Sequence, residues 1–67
     1  MSVAKVIEIS SSSTKSFEDA IQEGLKKAHE TVKHIRGAWV NEQKVNVKDG
    51  KVVEYVVNLR LTFVLHE

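Results

Sequence analysis

The most regular pattern in the chain is the run from Lys51 to His66, which reads KVVEYVVNLRLTFVLH. Apolar and polar positions alternate along it, as they do in a β-strand with one buried face. The apolar positions are Val53, Tyr55, Val57, Leu59, Leu61, Phe63 and Leu65. A row of apolar side chains this long needs a cover, so we predict a long strand that packs against another element of the chain.

The cover is predicted from a helical pattern that begins at Phe17. Its apolar face consists of Phe17, Ala20, Ile21, Leu25, Ala28, Val32 and Ile35, and Gly37 is placed to end the helix. The N-cap is either Ser13, or Ser16 with Asp19 in a capping box. Gly24 lies on the apolar face and costs about 1 kcal/mol relative to alanine, which close approach to a neighbouring backbone would offset.

Two further strands complete the expected fold. Val3 to Ser10 is short and rich in β-branched residues, and the serines from Ser10 to Thr14 read as a loop that leads into the helix. Ala38 to Val47 precedes Asp49-Gly50, a strong hairpin signal. The sequence therefore predicts an α+β fold of order β-α-β-β, with a three-stranded antiparallel sheet wrapped around one helix, in a single domain of residues 1–67.

The hairpin turn also predicts a register. A regular ladder places Val47 opposite Val52, Gln43 opposite Val56, Asn41 opposite Asn58 and Trp39 opposite Arg60. We name the sheet face that points away from the helix the outer face. The residues predicted to lie on it are Trp39, Asn41, Gln43, Val45, Val47, Val52, Val56, Asn58, Arg60 and Val64. An apolar face with embedded amides and one aromatic ring suits an interface or a ligand pocket.

Composition limits the classes of function. The 67 residues are 42% hydrophobic, have a net charge of +1 and include no cysteine. The charge is too small to drive nucleic-acid binding, and no apolar run is long enough to span a membrane. No secretory signal is visible, so we expect a cytoplasmic protein. A domain this small is marginally stable alone, and without disulfides the common remedy is a homo-oligomer.

Catalytic and metal signatures are weak. No Ser/His/Asp set, glycine-rich phosphate loop or HExxH motif is present, so we predict that the protein is not an enzyme. His29, His34 and His66 have no metal-ligand spacing. We expect the carboxylates of the helix to lie on its solvated surface or to cap its start: Glu18, Asp19, Glu23 and Glu30. An assembly could still gather copies of one carboxylate around a symmetry axis and bind a cation through oxygen atoms.

With this order of elements, the sequence resembles the dodecins. The resemblance runs from about Lys5 to Leu65. It rests on Lys5-Val6-Ile7-Glu8, Ser12-Ser13, Ser16-Phe17-Glu18-Asp19-Ala20-Ile21, Thr31, Arg36, Val40, Asp49-Gly50-Lys51-Val52, Tyr55, Val57 and Phe63. It implies that copies of the chain form a hollow dodecamer. Flavin-binding members hold pairs of flavins on two-fold axes, where they sequester them without turnover.

The flavin contacts that the resemblance implies are altered in this chain. The family's ring-stacking tryptophan aligns with Gly37, and its glutamine after the tyrosine aligns with Val56. A basic residue that serves the flavin phosphate is kept as Lys44, whereas a second basic position aligns with Val64.

Nearby residues offer compensation for these losses. Trp39 projects from the same strand face as Gly37, about 7 Å along. Gln43 is the predicted cross-strand neighbour of Val56, and Arg60 is a cation–π partner for Trp39 or an anion ligand.

The sequence thus predicts a binding and storage protein for FMN or another flavin, or for a related planar ligand, in pockets between subunits. The predicted contact residues are Gly37, Trp39, Gln43, Lys44, Val56 and Arg60. The alternative is a flavin-free shell that is structural or binds a divalent cation such as calcium, with Trp39 as an interface anchor.

Overall fold

The fold has one helix and three strands in the predicted order. The computed structural model describes residues 3–65, and His66 lies outside them. The elements are β1 (Val3–Ser13), α1 (Phe17–His29), β2 (Ile35–Lys48) and β3 (Lys51–Leu65). The sheet is antiparallel in the order β1-β3-β2. The long alternating strand lies at its centre, and the β-α-β-β prediction is confirmed.

The core lies between α1 and the adjacent face of β1 and β3. Val57, Leu59 and Leu61 of β3 and Ala20 of α1 are fully buried there. The apolar side chains packed around them are Ile7, Ile9, Phe17, Ile21, Leu25, Ala28 and Ile35. The buried residues of β3 alternate along the strand, as the sequence pattern indicates. Burial of this cluster is the main term that stabilises the protomer.

The helix is much shorter than the sheet beneath it. The 13 residues of α1 span about 20 Å, whereas the 15 residues of β3 span about 50 Å. The molecule is 52 Å long and 13 Å thick, so the β2–β3 hairpin extends beyond the helix. Residues 36–48 of β2 are all exposed. One helix therefore covers only part of the apolar surface that the strands present.

The helix begins at Phe17 with Ser16 as its N-cap, so the alternative with Ser13 as N-cap is wrong, although Ser13 also forms hydrogen bonds at the start of the helix. The Ser16 hydroxyl accepts a hydrogen bond from the Asp19 N–H at 2.9 Å. The Ser13 hydroxyl donates to Asp19 Oδ2 at 2.6 Å and accepts from the Lys15 N–H at 2.9 Å. The loop predicted from Ser10 is wrong, because β1 continues to Ser13 and pairs with β3 as far as Tyr55. Serine is small enough to lie there beneath the helix.

The predicted end of the helix is also wrong. The helix ends at His29, and His34 adopts a left-handed conformation with φ of 65° before β2 begins at Ile35. Val32 and Ile35 fit the helical spacing, but Ile35 pairs with Phe63 and packs at the core edge. A β-branched residue such as Ile35 is well suited to a strand, where this cross-strand partner packs against it.

Two of the three register shifts between β2 and β3 are β-bulges within the predicted ladder, and they change its register. The ladder pairs Val47 with Val52 and Trp39 with Arg60, as predicted. Between them the register is shifted by one residue, because Val53 of β3 has no ladder partner on β2 and Asn41 of β2 has none on β3. The two bulges compensate each other, so the prediction holds at both ends and fails between them.

The shifted segment moves residues to the opposite face. Lys44 pairs with Val56, whereas Gln43 pairs with Val57, whose side chain is buried against the helix. The prediction of Gln43 opposite Val56 is therefore wrong. Val45 pairs with Tyr55 and also leaves the outer face. Their places are taken by Glu42 and Lys44, which makes the outer face more polar than predicted.

Candidate functional site

The outer face is organised as rows of cross-strand partners. Partners in a row share a face, and successive outward rows are about 7 Å apart. The three central rows are Glu8–Arg60–Trp39, Ser10–Asn58–Glu42 and Ser12–Val56–Lys44. Each row takes one residue from each strand, so the whole sheet builds this surface.

Trp39 presents an open aromatic surface at one end of these rows. Its side chain is 64% exposed, although it stands on a strand that is paired along its length. The ladder with β3 fixes the position of its backbone, and most of the residue is left exposed. An aromatic ring held in this way suits stacking on another flat ring or burial in an interface.

Arg60 occupies the central strand beside Trp39. Its Nε atom lies 3.6 Å from Glu8 Oε1, and both side chains are about half exposed. The sequence predicted Arg60 opposite Trp39 but missed Glu8 as its ionic partner. The β1–β3 register needed to find that pair was not deduced from the sequence, although Glu8 stands at an alternating position of β1.

An amide pair lies in the next row. Asn41 Nδ2 donates to Asn58 Oδ1 at 3.2 Å, because the bulge on β2 places Asn41 beside Asn58 even though the ladder partner of Asn58 is Glu42. The two asparagines that the sequence placed opposite each other are thus in contact. The amide groups of asparagine can donate hydrogen bonds to, and accept them from, the polar edge of a ring-shaped ligand.

A shallow concavity of about 260 Å³ lies at the far end of the rows. It is lined by Ser10, Glu42, Gln43, Lys44, Val56 and Asn58. The structure therefore brings together three of the predicted contact residues, Gln43, Lys44 and Val56. Ser10 was not predicted because the register of β1 against β3 was not deduced from the sequence. Glu42 was not predicted because the bulge that exposes it on this face has no clear signal in the sequence.

The remaining predicted residues lie outside this concavity. Trp39 and Arg60 are in the row beyond Asn58, and Gly37 is one row further, where its carbonyl accepts from Thr62 Oγ1 at 3.3 Å. The predicted set therefore spans about 20 Å of the sheet, from the row of Lys44 to that of Gly37. A single small ligand can reach Trp39, Asn58 and Lys44, but Gly37 lies one row beyond Trp39, at the far end from Lys44.

Acidic and histidine side chains are dispersed in the described part of the chain. Within residues 3–65 no three of His, Cys, Asp and Glu converge as a metal site. Asp19 is engaged in the helix cap, and Glu30 lies 3.4 Å from Lys27 Nζ. The one helix of this region is too short to cross a bilayer.

The chain is similar in sequence and in structure to known proteins. The family model described as Dodecin matches residues 3–66. The calcium dodecin of Mycobacterium tuberculosis is 38% identical over 63 residues, which cover 94% of this chain and 89% of that protein.

The solved structures to which this chain is similar are also dodecins. A mutant of the dodecin from Thermus thermophilus matches with a TM-score of 0.93 and 33% identity, over 100% of this chain and 98% of that one. The crystal structure of the Mycobacterium tuberculosis calcium dodecin, described as calcium-chelating with a novel calcium-binding site, matches with a TM-score of 0.82 and 34% identity, over 96% and 91% of the two chains.

Proposed function

The chain belongs to the dodecin family, and we propose that it is a dodecameric binding and storage protein that holds a flavin-type planar ring on the outer face, between copies of the chain. The observation that carries this proposal is the exposed Trp39, fixed on a strand in line with an amide pair and a lysine. The expected cytoplasmic location remains a prediction.

Assembly follows from the uncovered hairpin. Apolar side chains on β2 and at the start of β3 are between 38% and 59% exposed: Val40, Val45, Val47, Val52 and Val53. An apolar surface this extensive on a small protein marks a contact surface. Neighbouring copies are the simplest cover, because every copy has the same need. A dodecamer is the arrangement that the family resemblance implies.

The outer face offers a flavin ring most of what it requires. Trp39 supplies a stacking surface, and the Asn41–Asn58 pair lies one row, about 7 Å, along the sheet. Val56 supplies an apolar floor beside Lys44. Stacking and apolar burial contribute most of the binding energy, while the amides orient the ring. The ligand is held without any bond being made or broken.

The amide contact differs from the one expected from the sequence. Gln43 lies in the row of Val57, which belongs to the face towards the helix, although Gln43 also lines the concavity. Asn58 stands on the central strand between Arg60 and Val56 and lines the concavity directly. We therefore assign the orienting role to Asn58 and Asn41.

Calcium is the second candidate ligand. It is favoured by the similarity to a calcium dodecin and by the oxygen atoms of Ser10, Glu42 and Asn58 around the concavity. Lys44 lines the same concavity and opposes a cation. A calcium site would therefore need carboxylates from more than one copy of the chain.

Flavin fluorescence tests the proposal. Purified protein is titrated into micromolar riboflavin and FMN, and the oligomeric state is followed by light scattering. We expect quenching that weakens about tenfold in Trp39→Ala, because ring stacking is worth about 1–3 kcal/mol. Trp39→Phe, the matched control, retains an aromatic surface and should retain most of the affinity.

The outcomes separate the two candidates. Absence of quenching by an intact oligomer would contradict flavin binding. Calorimetric titration of chelator-treated protein with calcium then tests the second candidate, with Glu42→Gln as the variant that weakens it.

A further inference from the structure

Charges on the outer face are compensated from row to row. Arg60 is paired with Glu8 at 3.6 Å. Lys44 and Glu42 line the same concavity, at successive outward positions of β2. In the following row, Glu54 Oε1 accepts a hydrogen bond from Asn46 Nδ2 at 2.8 Å and adds a further negative charge. Each cation of these rows therefore has a carboxylate close by.

On the premise of the proposed flavin site, we infer that the outer face selects an uncharged planar ring over the same ring with a phosphate group, and that Glu8 and Glu42 set this specificity. Riboflavin is the uncharged form of the ligand and FMN is the phosphate-bearing form.

Glu8 acts on the cation beside the stacking residue. A phosphate that approaches Arg60 also approaches the Glu8 carboxylate, which is bound to the same guanidinium. Attraction and repulsion then act over similar distances and largely cancel. Arg60 keeps its flat aliphatic and guanidinium surface next to Trp39, so contact with an uncharged ring is unaffected by the pairing.

Glu42 acts in the same way at the other end of the rows. A phosphate held by Lys44 would lie in the concavity that Glu42 also lines. The lysines of the hairpin turn, Lys48 and Lys51, pair with each other about 13 Å along the strand from Lys44. That separation exceeds the Debye length at physiological salt, so they contribute little attraction at Lys44.

Assembly does not remove the compensation when outer faces meet. Identical copies that meet around a two-fold axis bring the same residues to the contact. Each added Arg60 then arrives with its own Glu8, and each added Lys44 arrives with its own Glu42. The shared pocket therefore has the same ratio of carboxylates to cations as the outer face of one protomer.

Paired titrations with riboflavin and FMN test the inference. The unmodified protein should bind riboflavin about fivefold more tightly than FMN, because the phosphate loses hydration in the pocket, gains no net attraction from the paired cations and meets the additional negative charge of Glu54. Glu42→Gln should raise the FMN affinity about fivefold, and Glu8→Gln should do the same, because each removes one nearby negative charge. The readout is the ratio of the FMN affinity to the riboflavin affinity, which should rise about fivefold in each of the two variants. The gain in FMN affinity should shrink at high salt.

Glu30→Gln is the matched control, since Glu30 follows the helix and pairs with Lys27 away from the outer face. Tighter binding of FMN than of riboflavin by the unmodified protein would overturn the inference and leave the proposed function standing. The same holds if neither glutamine variant changes the FMN affinity. Failure of both flavins to bind would overturn the inference together with the proposed function. The first comparison needs no variant, so a substitution that impairs assembly does not prevent the test.

Discussion

Gly24 of the helix lies directly against Ser11 of β1. A Cβ added at Gly24 would come within 2.9 Å of Ser11 Cβ and 3.1 Å of Ser11 Oγ. The Ser11 hydroxyl donates to the Ala20 carbonyl, one turn earlier in the helix, at 2.7 Å. A glycine and a serine thus let the helix approach the sheet closely. This close approach is the compensation that the sequence predicted for a glycine on the apolar face of the helix.

Gly24→Ala should destabilise the protein by up to about 2 kcal/mol. Overpacking of the new Cβ against an atom fixed to the backbone of β1 costs about 1–3 kcal/mol, and the gain in helix propensity offsets only about 1 kcal/mol of that cost. Denaturant unfolding at fixed protomer concentration measures the change. Lys26→Ala, at an exposed helix position, should change stability little. A more stable Gly24→Ala protein would contradict the close packing.

Gly50→Ala should cost about 1–2 kcal/mol for a different reason. Gly50 has φ of 76° and Asp49 has φ of 52°, whereas a Cβ at Gly50 would meet no atom within 4 Å. The cost is therefore backbone strain alone. Asp49→Asn is the matched control, because asparagine tolerates the left-handed conformation at least as well. Equal melting temperatures for Gly50→Ala and the unmodified protein would show that the turn is not strained.

Ser16→Ala should lower the free energy of unfolding by about 1 kcal/mol. It removes the hydroxyl that accepts from the Asp19 N–H at the start of the helix. Ser12→Ala changes an exposed serine of β1 and serves as the control. The prediction fails if the two alanine variants have the same denaturation midpoint.

Val45→Asp should dissociate the assembly. Val45 is 38% exposed on the part of the hairpin that extends beyond the helix, and a carboxylate buried there against a neighbouring copy would lack a partner. Val45→Thr has nearly the same shape and should weaken assembly far less. Analytical ultracentrifugation gives the distribution of species. An intact oligomer in Val45→Asp would show that this face of the hairpin stays in water.

The fold could be predicted because its strongest signals are periodic. The alternation along β3 identified the central strand, and Asp49-Gly50 identified the hairpin turn. The end of the helix could not be predicted from spacing, since Val32 and Ile35 fit both the helical period and a strand. Contact of Ile35 with Phe63, 28 positions away in the chain, resolves that choice.

The candidate site could be predicted only in part because of the bulges. A bulge adds one residue to a strand without any change in composition. The bulges at Val53 and Asn41 could therefore not be predicted from the sequence. The pairing of Trp39 with Arg60 was predicted correctly since the two shifts cancel before that row. Gln43 lies between the bulges and was assigned to the wrong face, while Glu42 was missed.

One short helix cannot cover this sheet, and we propose that neighbouring copies cover the hairpin. The most direct test is the mass of the purified protein by light scattering coupled to size exclusion, at protomer concentrations down to the micromolar range. We expect a single species of twelve protomer masses. A folded and stable monomer in dilute solution would contradict the assembly and, with it, a ligand pocket shared between copies.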